Sequence, residues 1–413
     1  MPKTIALISP GHLGTNPRLV KEADALYEAG YQVHVISCDY FPDARKWDQE
    51  IRSERNWKWS YIPWKPTRLR YAYRRIKQIC ARQLFSSGLQ TIPISSIAHH
   101  SILPLLKQTA SAIPADLYIG HCLAALPAVI AAARKNRSAA GFDVEDLHSG
   151  EAPNLGRGRL DNSIAKILEG NFLAHCDYVT ASSPLIAETL RERYGVSATP
   201  VLNVFPLSMA GEPLPPPSTP SLYWFSQTIG PGRGLEAMIE ILRRLNRIVR
   251  LDLRGHVAGA YDEHLKRLVK GTAVQLRFLQ TDTPSTMARH AASYTAGLAL
   301  ETDCSVSRGL ALTNKIFTYL LAGVPVILSR TRAQEHFSVE LGKACLLIDL
   351  KNPPEASRSL DDWLRDADNQ SRARVESFRL GRDRFNWDCE KRIFLAQVDK
   401  TLRRCLRSSQ VGS

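Results

Sequence analysis

Leu312-Thr313-Asn314-Lys315 opens an apolar segment that breaks at Gly323-Val324-Pro325 and runs into Val326-Ile327-Leu328. The pattern predicts a helix over 314–322 followed by a short strand. A helix N-terminus presents unpaired N–H groups and partial positive charge. Thr313 is placed to cap it, and Lys315 adds a full charge in the first turn. A cation there opposes the helix dipole, so helix stability does not account for it. An anionic ligand, a phosphate or diphosphate, does. The plain alternative is an ordinary amphipathic helix with a solvated lysine.

A second segment, Phe225-Ser226-Gln227-Thr228-Ile229-Gly230-Pro231-Gly232-Arg233-Gly234-Leu235-Glu236, reads as strand, glycine-rich turn and helix start. Its glycines permit close backbone approach, and Arg233 can fork onto phosphate oxygens. With Lys315 it forms a two-cation clamp that would stabilise charge on a leaving diphosphate. Near the N-terminus, Gly11 and Gly14 lie in a comparable turn, Ser9 to Arg18. That turn lacks G-x-G-x-x-G spacing, and Asp39 is the sole candidate ribose-binding acid, which argues against a dinucleotide.

Two strand ends add acid–base groups. His121 follows Asp116-Leu117-Tyr118-Ile119-Gly120 and is expected to point into a cleft, where imidazole can bond a hydroxyl or move a proton. Asp143, Glu145, Asp146, His148 and Glu151 follow another strand and could bind sugar hydroxyls or serve as acid and base. Their spacing matches no strong metal motif, so no metal is expected. Each group has a bland reading as well: a structural histidine, a capped acidic loop, a tight turn.

These residues need strands to carry them. Strand-like runs lie at Thr4–Ile8, Val33–Ser37, Asp116–Ile119, Gly141–Val144, Tyr178–Ala181 and Pro200–Asn203, with helical patterns at 16–29, 122–135, 160–175 and 183–194. The stretch 206–220 holds six prolines and no periodicity. Alternation then restarts, with strands at Ser221–Phe225, Val249–Leu253, Val274–Leu279, Gly297–Leu300, Val326–Leu328 and Leu346–Asp349. Helices are expected at 234–246, 261–270, 284–293, 314–322 and 331–341, and only helices from 353 onward, ending in 388–407. The expectation is an α/β protein of two doubly wound, Rossmann-like domains facing across a cleft. Their boundaries are 1–205, a linker at 206–220, 221–385, and a terminal helix and tail at 386–413.

The chain of 413 residues carries net charge +14, which favours polyanionic partners. The charge concentrates in 45–82, with twelve Lys/Arg against Asp48, Glu50 and Glu54. Trp47, Trp57, Trp59 and Trp64 lie there too, four of the chain's seven tryptophans. Basic residues mixed with tryptophan suit an anionic membrane interface, single-stranded nucleic acid, or a solvated face over an aromatic core. Of the two ligand readings the membrane surface is preferred, and no nucleic acid is expected; the solvated face stands beside it. No apolar run reaches the ~18 residues a spanning helix needs. The N-terminus lacks a small-residue cleavage site, and the eight cysteines form no CxxC pair, pointing to buried free thiols and a cytoplasmic protein, peripheral at the inner membrane face.

Several stretches resemble GT-B glycosyltransferases, specifically the group that includes the retaining family 4 enzymes. NPRLVKEADALYEAGYQVHVIS is similar to that group's opening, DLYIGHCLAALPA and FDVEDLHSGE to its acceptor-side motifs, and YVTASSPLIAETLRERYGVSATPVLNVFP to the end of its first domain. IGPGRGLEAMIEIL resembles its donor-phosphate arginine motif, and TNKIFTYLLAGVPVILS its donor-binding helix. The resemblance implies transfer of a sugar from a nucleotide-diphosphate donor to a saccharide or lipid-linked acceptor hydroxyl, in polysaccharide or glycolipid assembly. It further implies retention and no metal or other cofactor, the nucleotide sugar being a co-substrate. His121, Asp143 and Glu145 would then be catalytic. Gly11, Gly14, Gly230, Arg233, Glu301, Thr313, Asn314 and Lys315 would bind the donor. Two positions depart from the pattern: Thr318 stands where a ribose-contacting glutamate is usual, and Leu310 where its partner glutamate is. The basic residue common in the strand-to-glycine turn is replaced at Gln227-Thr228, and Glu301 is the candidate substitute carboxylate. An epimerase of the same fold and a non-catalytic membrane or polyanion binder are the competing readings.

Overall fold

The computed structural model describes residues 2–40, 44–65, 67–212, 214–283 and 286–411. The chain divides into two compact units, one of Met1–Val201 with Lys391–Ser413, the other of Leu202–Glu390.

The first unit runs β1 (Thr4–Ile8), α1 (Pro17–Glu28), β2 (Gln32–Asp39), α2 (Arg45–Ser53), β3 (Lys58–Pro63), α3 (Arg68–Ser86), α4 (Ile92–His99) and α5 (Leu103–Ala112). It continues with β4 (Leu117–His121), α6 (Leu126–Asn136), β5 (Ala139–Val144), α7 (Gly156–Phe172), β6 (Tyr178–Ala181), α8 (Pro184–Tyr194) and β7 (Ala198–Pro200). The sheet is parallel throughout, in the order β3-β2-β1-β4-β5-β6-β7. Winding proceeds outward from β1 in one direction, then from β4 in the other. The β1/β4 boundary is therefore the switch point, where neighbouring crossovers diverge and leave room at the strand ends.

The second unit runs β8 (Ser221–Ile229), α9 (Leu235–Leu242), β9 (Val249–Val257), α10 (Tyr261–Val269), β10 (Val274–Leu279), α11 (Met287–Ala291), β11 (Ala296–Ala299) and α12 (Val306–Leu310). It ends with α13 (Asn314–Leu321), β12 (Val326–Ser329), α14 (Arg332–Leu341), β13 (Cys345–Ile348), α15 (Pro353–Arg365), α16 (Ala367–Asp383) and the start of α17 (Trp387–Val411). Its parallel sheet has the order β10-β9-β8-β11-β12-β13, with the switch point between β8 and β11. Leu222, Trp224, Leu251, Leu253, Leu298 and Leu300 are fully buried or nearly so beneath the flanking helices. β11 and β12 are buried on both faces and read as apolar runs, whereas β9 and β10 alternate.

Several elements differ from the sequence expectation. The strand expected at Pro200–Asn203 occurs at Ala198–Pro200, because the Leu202 N–H then turns to the Glu390 carboxylate at 2.8 Å. β3 and α3–α5 are not among the expected elements. Only Ile62 is buried in β3, and α3 is apolar on two sides. Pro93 and Pro104 in the first turns of α4 and α5 are helix-start signals that the periodicity reading passed over. The expected helix start at 284 lies outside the described residues. Among the described residues no helix is long and apolar enough to cross a membrane.

Candidate functional site

In the first unit the switch point is crowded with ionic side chains that face one another, while Arg18 Nη1 and both Glu22 carboxylate oxygens have no hydrogen-bond partner among the described residues. Pro17 and the Asn16 side chain, which accepts from Leu19 N–H at 3.0 Å, start α1 and fix Arg18 and Glu22 one turn apart. Arg18 forks onto Asp143 of β5, Nε to Oδ2 at 2.6 Å and Nη2 to Oδ1 at 2.7 Å. Thr180 of β6 donates to the same Oδ1 at 2.6 Å. His121, the last residue of β4, places Nε2 3.0 Å from Glu22 and Nδ1 3.5 Å from Asp143. These are ion-pair distances without hydrogen-bond alignment, since neither ring nitrogen has a hydrogen-bond partner.

His121 thus stands at the expected strand end, yet it is only 1% exposed and faces two carboxylates. Burial pushes its pKa down, but Glu22 and Asp143 outweigh that and hold it above the ordinary imidazole value. Burial likewise raises Asp143, and Arg18 overrides it to hold the carboxyl below its usual range. Glu145 is half-buried, and burial raises its pKa. Glu22, His121 and Asp143 offer three donor atoms within 4.8 Å, a set able to hold a cation. The Arg18 guanidinium already occupies both Asp143 oxygens, however, and the arrangement reads as an ion network.

Arg18 and Glu22, and the half-buried Lys21 between them, were not singled out by sequence. Their signal is charge on the apolar side of the helix, where Arg18 and Glu22 are buried beside Leu19 and Ala23. Burial, then Arg18, lowers the Lys21 pKa to about 7. Cys122, next to His121, adopts φ 62°, a left-handed conformation costly for a residue with a Cβ.

The turn after β1 is locked as well. His12 is fully buried, its Nδ1 2.6 Å from Asp48. Tyr40 N–H donates to its Nε2, so Nδ1 carries the proton shared with Asp48. The Gly14 N–H donates to Asp48 at 2.9 Å, and the Gly11 N–H to Ser9 Oγ at 3.1 Å. A Cβ on Gly14 would meet Trp47 Cβ at 2.8 Å, which is why glycine stands there. The acidic loop after β5 is braced by Glu169, which accepts from Ser149 N–H and Tyr194 OH, while His148 pairs with Glu151 at 2.8 Å.

The second unit's switch point leaves more groups open. Gly232 and Gly234 adopt φ 73° and 74°, and a Cβ on Gly234 would crowd Leu300 at 3.2 Å. This packs the Gly230–Gly234 turn against the exit of β11, where Thr302 Oγ1 donates to Gly232 O at 3.4 Å. Arg233 is half-buried and makes no hydrogen bond or ion pair among the described residues. Glu301 is fixed by Ser329, whose Oγ accepts its N–H and donates to its carbonyl, both at 2.8 Å.

Lys315 is 7% exposed, 3.2 Å from Glu301 and 5.8 Å above the Trp224 ring. The anion offsetting this lysine is therefore supplied by the chain, which corrects the inference that only a ligand accounts for it. Thr313 occupies the N-cap of α13, but its side chain makes no cap hydrogen bond, and its buried Oγ1 has no partner. Thr318 is buried, and its hydroxyl donates back to Asn314 O at 3.0 Å, so it offers nothing to a ligand. Arg233, Glu301, Thr313 and Lys315 thus lie in the segments that follow the central strands β8 and β11. His121 and Asp143 come together in the other unit, with Glu145 beside them.

Residues 14–206 match the model of the Glycosyl transferase 4-like domain. No curated protein matches the sequence. Among solved structures, sucrose-phosphate synthase from Thermosynechococcus elongatus is similar at 15% identity and TM-score 0.70, over 97% of this chain and 99% of that one. Anabaena HepE in complex with UDP and glucose is similar at 15% identity and TM-score 0.66, over 96% of this chain and 100% of that one. The lipopolysaccharide outer core galactosyltransferase WaaB is similar at 12% identity and TM-score 0.62, over 96% and 99%. The architecture is the GT-B glycosyltransferase fold.

Proposed function

We propose that this GT-B chain is a glycosyltransferase that moves a sugar from a nucleotide-diphosphate donor to an acceptor hydroxyl. The observation that carries the reading is the carboxyl end of β8 and β11: an arginine and a buried hydroxyl without a partner among the described residues, and a lysine held by one carboxylate, with a positive-φ glycine turn. A diphosphate supplies the anionic acceptors these donors lack. Because Glu301 already neutralises Lys315, donor binding would draw Lys315 away from it or share it, leaving Glu301 free to accept from the donor's ribose.

In this reading 221–385 binds the donor and 1–205 the acceptor. HepE is known with UDP and with UDP-glucose, which makes a uridine-diphosphate sugar the first donor to test. The WaaB likeness supports an acceptor in cell-surface polysaccharide or glycolipid assembly, lipid-linked and reached from the inner face of a membrane. His121, Asp143 and Glu145 would orient the reacting groups. Transfer would proceed with retention and without a divalent metal, because cationic side chains take over charge neutralisation.

Mass spectrometry of products from a panel of sugar nucleotides with membrane extracts tests this. Acceptor-dependent glycosylation that survives a chelator is expected; donor isomerisation without acceptor would make the protein an epimerase. The buried Thr318 and Leu310, in place of two usual glutamates, favour a second reading as a non-catalytic binder. Nucleotide binding with no turnover of any donor would establish it.

A further inference from the structure

Of the four tryptophans in 45–82, three are tied into the first unit. Trp57 is buried with Nε1 on Asp24, Trp59 Nε1 donates to Ser37 Oγ, and Trp64 packs edge-on against His100. Only Trp47 is strongly exposed, so the tryptophans do not supply the apolar surface that a membrane-facing region needs. Helix α3 does.

One side of α3 holds it to the unit. Ala81 and Phe85 are buried, Gln78 donates to the carbonyls of Ala98 and His99, Arg82 pairs with Asp161 at 2.6 Å, and Arg74 donates to the Trp64 carbonyl. The opposite side carries a second apolar stripe. Leu69, Tyr73, Ile76, Cys80 and Leu84 recur at steps of three or four, the spacing that lines one helix face. Leu69 is 84% exposed and Ile76 59%, and Tyr73, Cys80 and Leu84 are exposed as well. Ile79 widens the stripe, and exposed Leu89 and Ile92 extend it past the helix end. Single exposed apolar residues are ordinary, but a contiguous band is not.

The band is bordered by cations. Arg68 and Arg75 lie on one edge and Arg70 and Lys77 on the other, all exposed. The helix contains six Arg/Lys and no Asp or Glu. Lys77 Nζ lies 4.5 Å from the Tyr73 ring, its stem along the apolar band and its head at the border.

We propose that α3 lies in the plane of an anionic bilayer, with Leu69, Tyr73, Ile76, Cys80 and Leu84 inserted at the headgroup–acyl boundary and the flanking arginines and lysine on lipid phosphates. An apolar stripe edged by Lys and Arg is the pattern of an interfacial helix. Charge decides against a second copy, since self-association on this face would bring two all-basic helices together. The inference deepens the reading of a membrane-presented acceptor. Its test needs neither donor nor acceptor, so a failure of sugar transfer leaves it standing and the reverse is also true.

The full chain is sedimented with phosphatidylcholine vesicles and with vesicles containing phosphatidylglycerol. Binding to the anionic vesicles is expected at low salt and weakens as screening shortens the reach of the charges. Removing one border cation, as in Arg70→Gln, should weaken partitioning about fivefold, and the pair Arg70→Gln with Lys77→Gln more. Leu69→Gln with Ile76→Gln should abolish the part that persists in salt; all four positions are exposed, so an unchanged melting temperature controls for folding.

Anionic vesicles should also shield Cys80 from a water-soluble maleimide while exposed Cys304, in the second unit, stays reactive, read by peptide mass spectrometry. Equal, negligible binding to both vesicles at low salt overturns the proposal. So does binding that leaves Cys80 as reactive as Cys304. Concentration-dependent dimerisation in the absence of lipid, abolished by the stripe substitutions, would assign the face to a second copy instead.

Discussion

The two switch points share one architecture and differ in what their polar groups face. Each lies between the first and fourth strands of a parallel sheet, with a glycine turn on one side and a charged strand-end residue on the other. In the first unit those groups face one another: Arg18 with Asp143, His121 with Glu22, Asp48 with His12 and Gly14. In the second, Arg233 and the Thr313 hydroxyl have no partner among the described residues, and Lys315 has a single carboxylate there. In the first site the charges are offset by one another, although Glu22 and His121 keep unpartnered polar atoms among the described residues. A site with free donors has capacity reserved for a ligand.

The largest effect should come from breaking the closed site. Asp143→Ala leaves the Arg18 guanidinium, fully buried, without its carboxylate. Removing one partner of a buried pair costs about 3–5 kcal/mol. Arg233→Ala, which removes no partner, should stay within about 0.5 kcal/mol. Urea unfolding of the two variants compares the sites directly, and equal losses would erase the contrast.

The order reverses when ligand affinity is measured. Arg233→Ala and Lys315→Ala should each weaken binding of a nucleoside diphosphate by about 1.5–3 kcal/mol, the worth of a charge-assisted bond. His121→Gln should leave that affinity unchanged while slowing transfer, because it lies in the other unit. Calorimetry with UDP, alongside product formation, separates the two. A loss of UDP affinity in His121→Gln as large as in Arg233→Ala would end the division of labour.

Sequence reached some of this and not the rest, for identifiable reasons. The strands are nearly all legible because parallel strands buried on both faces are unbroken apolar runs, as in Thr4–Ile8 and Val326–Ser329. Arg233 and Lys315 are legible because glycine turns and helix starts leave local marks. What the residues face is not. The Glu301–Lys315 pair spans 14 positions and Arg18–Asp143 spans 125, and no local pattern encodes either. Helix α3 is obscured for another reason: its inner and outer stripes both carry apolar residues, so neither face stands out as the core side.

A smaller effect concerns the helix start of α13. Thr313→Val keeps the shape and removes the hydroxyl that lacks a partner. If that hydroxyl waits for a ligand, UDP affinity should fall by about 0.5–1.5 kcal/mol, the net worth of a neutral hydrogen bond. Stability should hold or rise, since a buried unsatisfied group is removed. Unchanged affinity with higher stability would mark Thr313 as a defect in the helix start rather than a ligand contact.

The subtlest difference is in proton binding, where the closed site contains opposing shifts. His121 is raised, because Glu22 and Asp143 outweigh its burial. Above the ordinary imidazole value of about 6.5, the folded protein therefore holds a proton there that the unfolded chain has released. The stability from that pairing is complete below about 6.5 and is lost as pH climbs through the raised folded value. Lys21 runs the other way: burial and Arg18 bring it from 10.5 down to about 7. Between those values the unfolded chain holds the extra proton, so stability grows with pH across that window. The two groups therefore contribute slopes of opposite sign, one falling above about 6.5 and the other rising above about 7. His121→Gln should remove the falling component and leave stability rising above pH 7. Lys21→Met should remove the rising component and leave it falling. Urea unfolding at pH 6, 8 and 10 reads both slopes, and parallel profiles for the two variants would show that the first switch point is not the ion network its geometry describes.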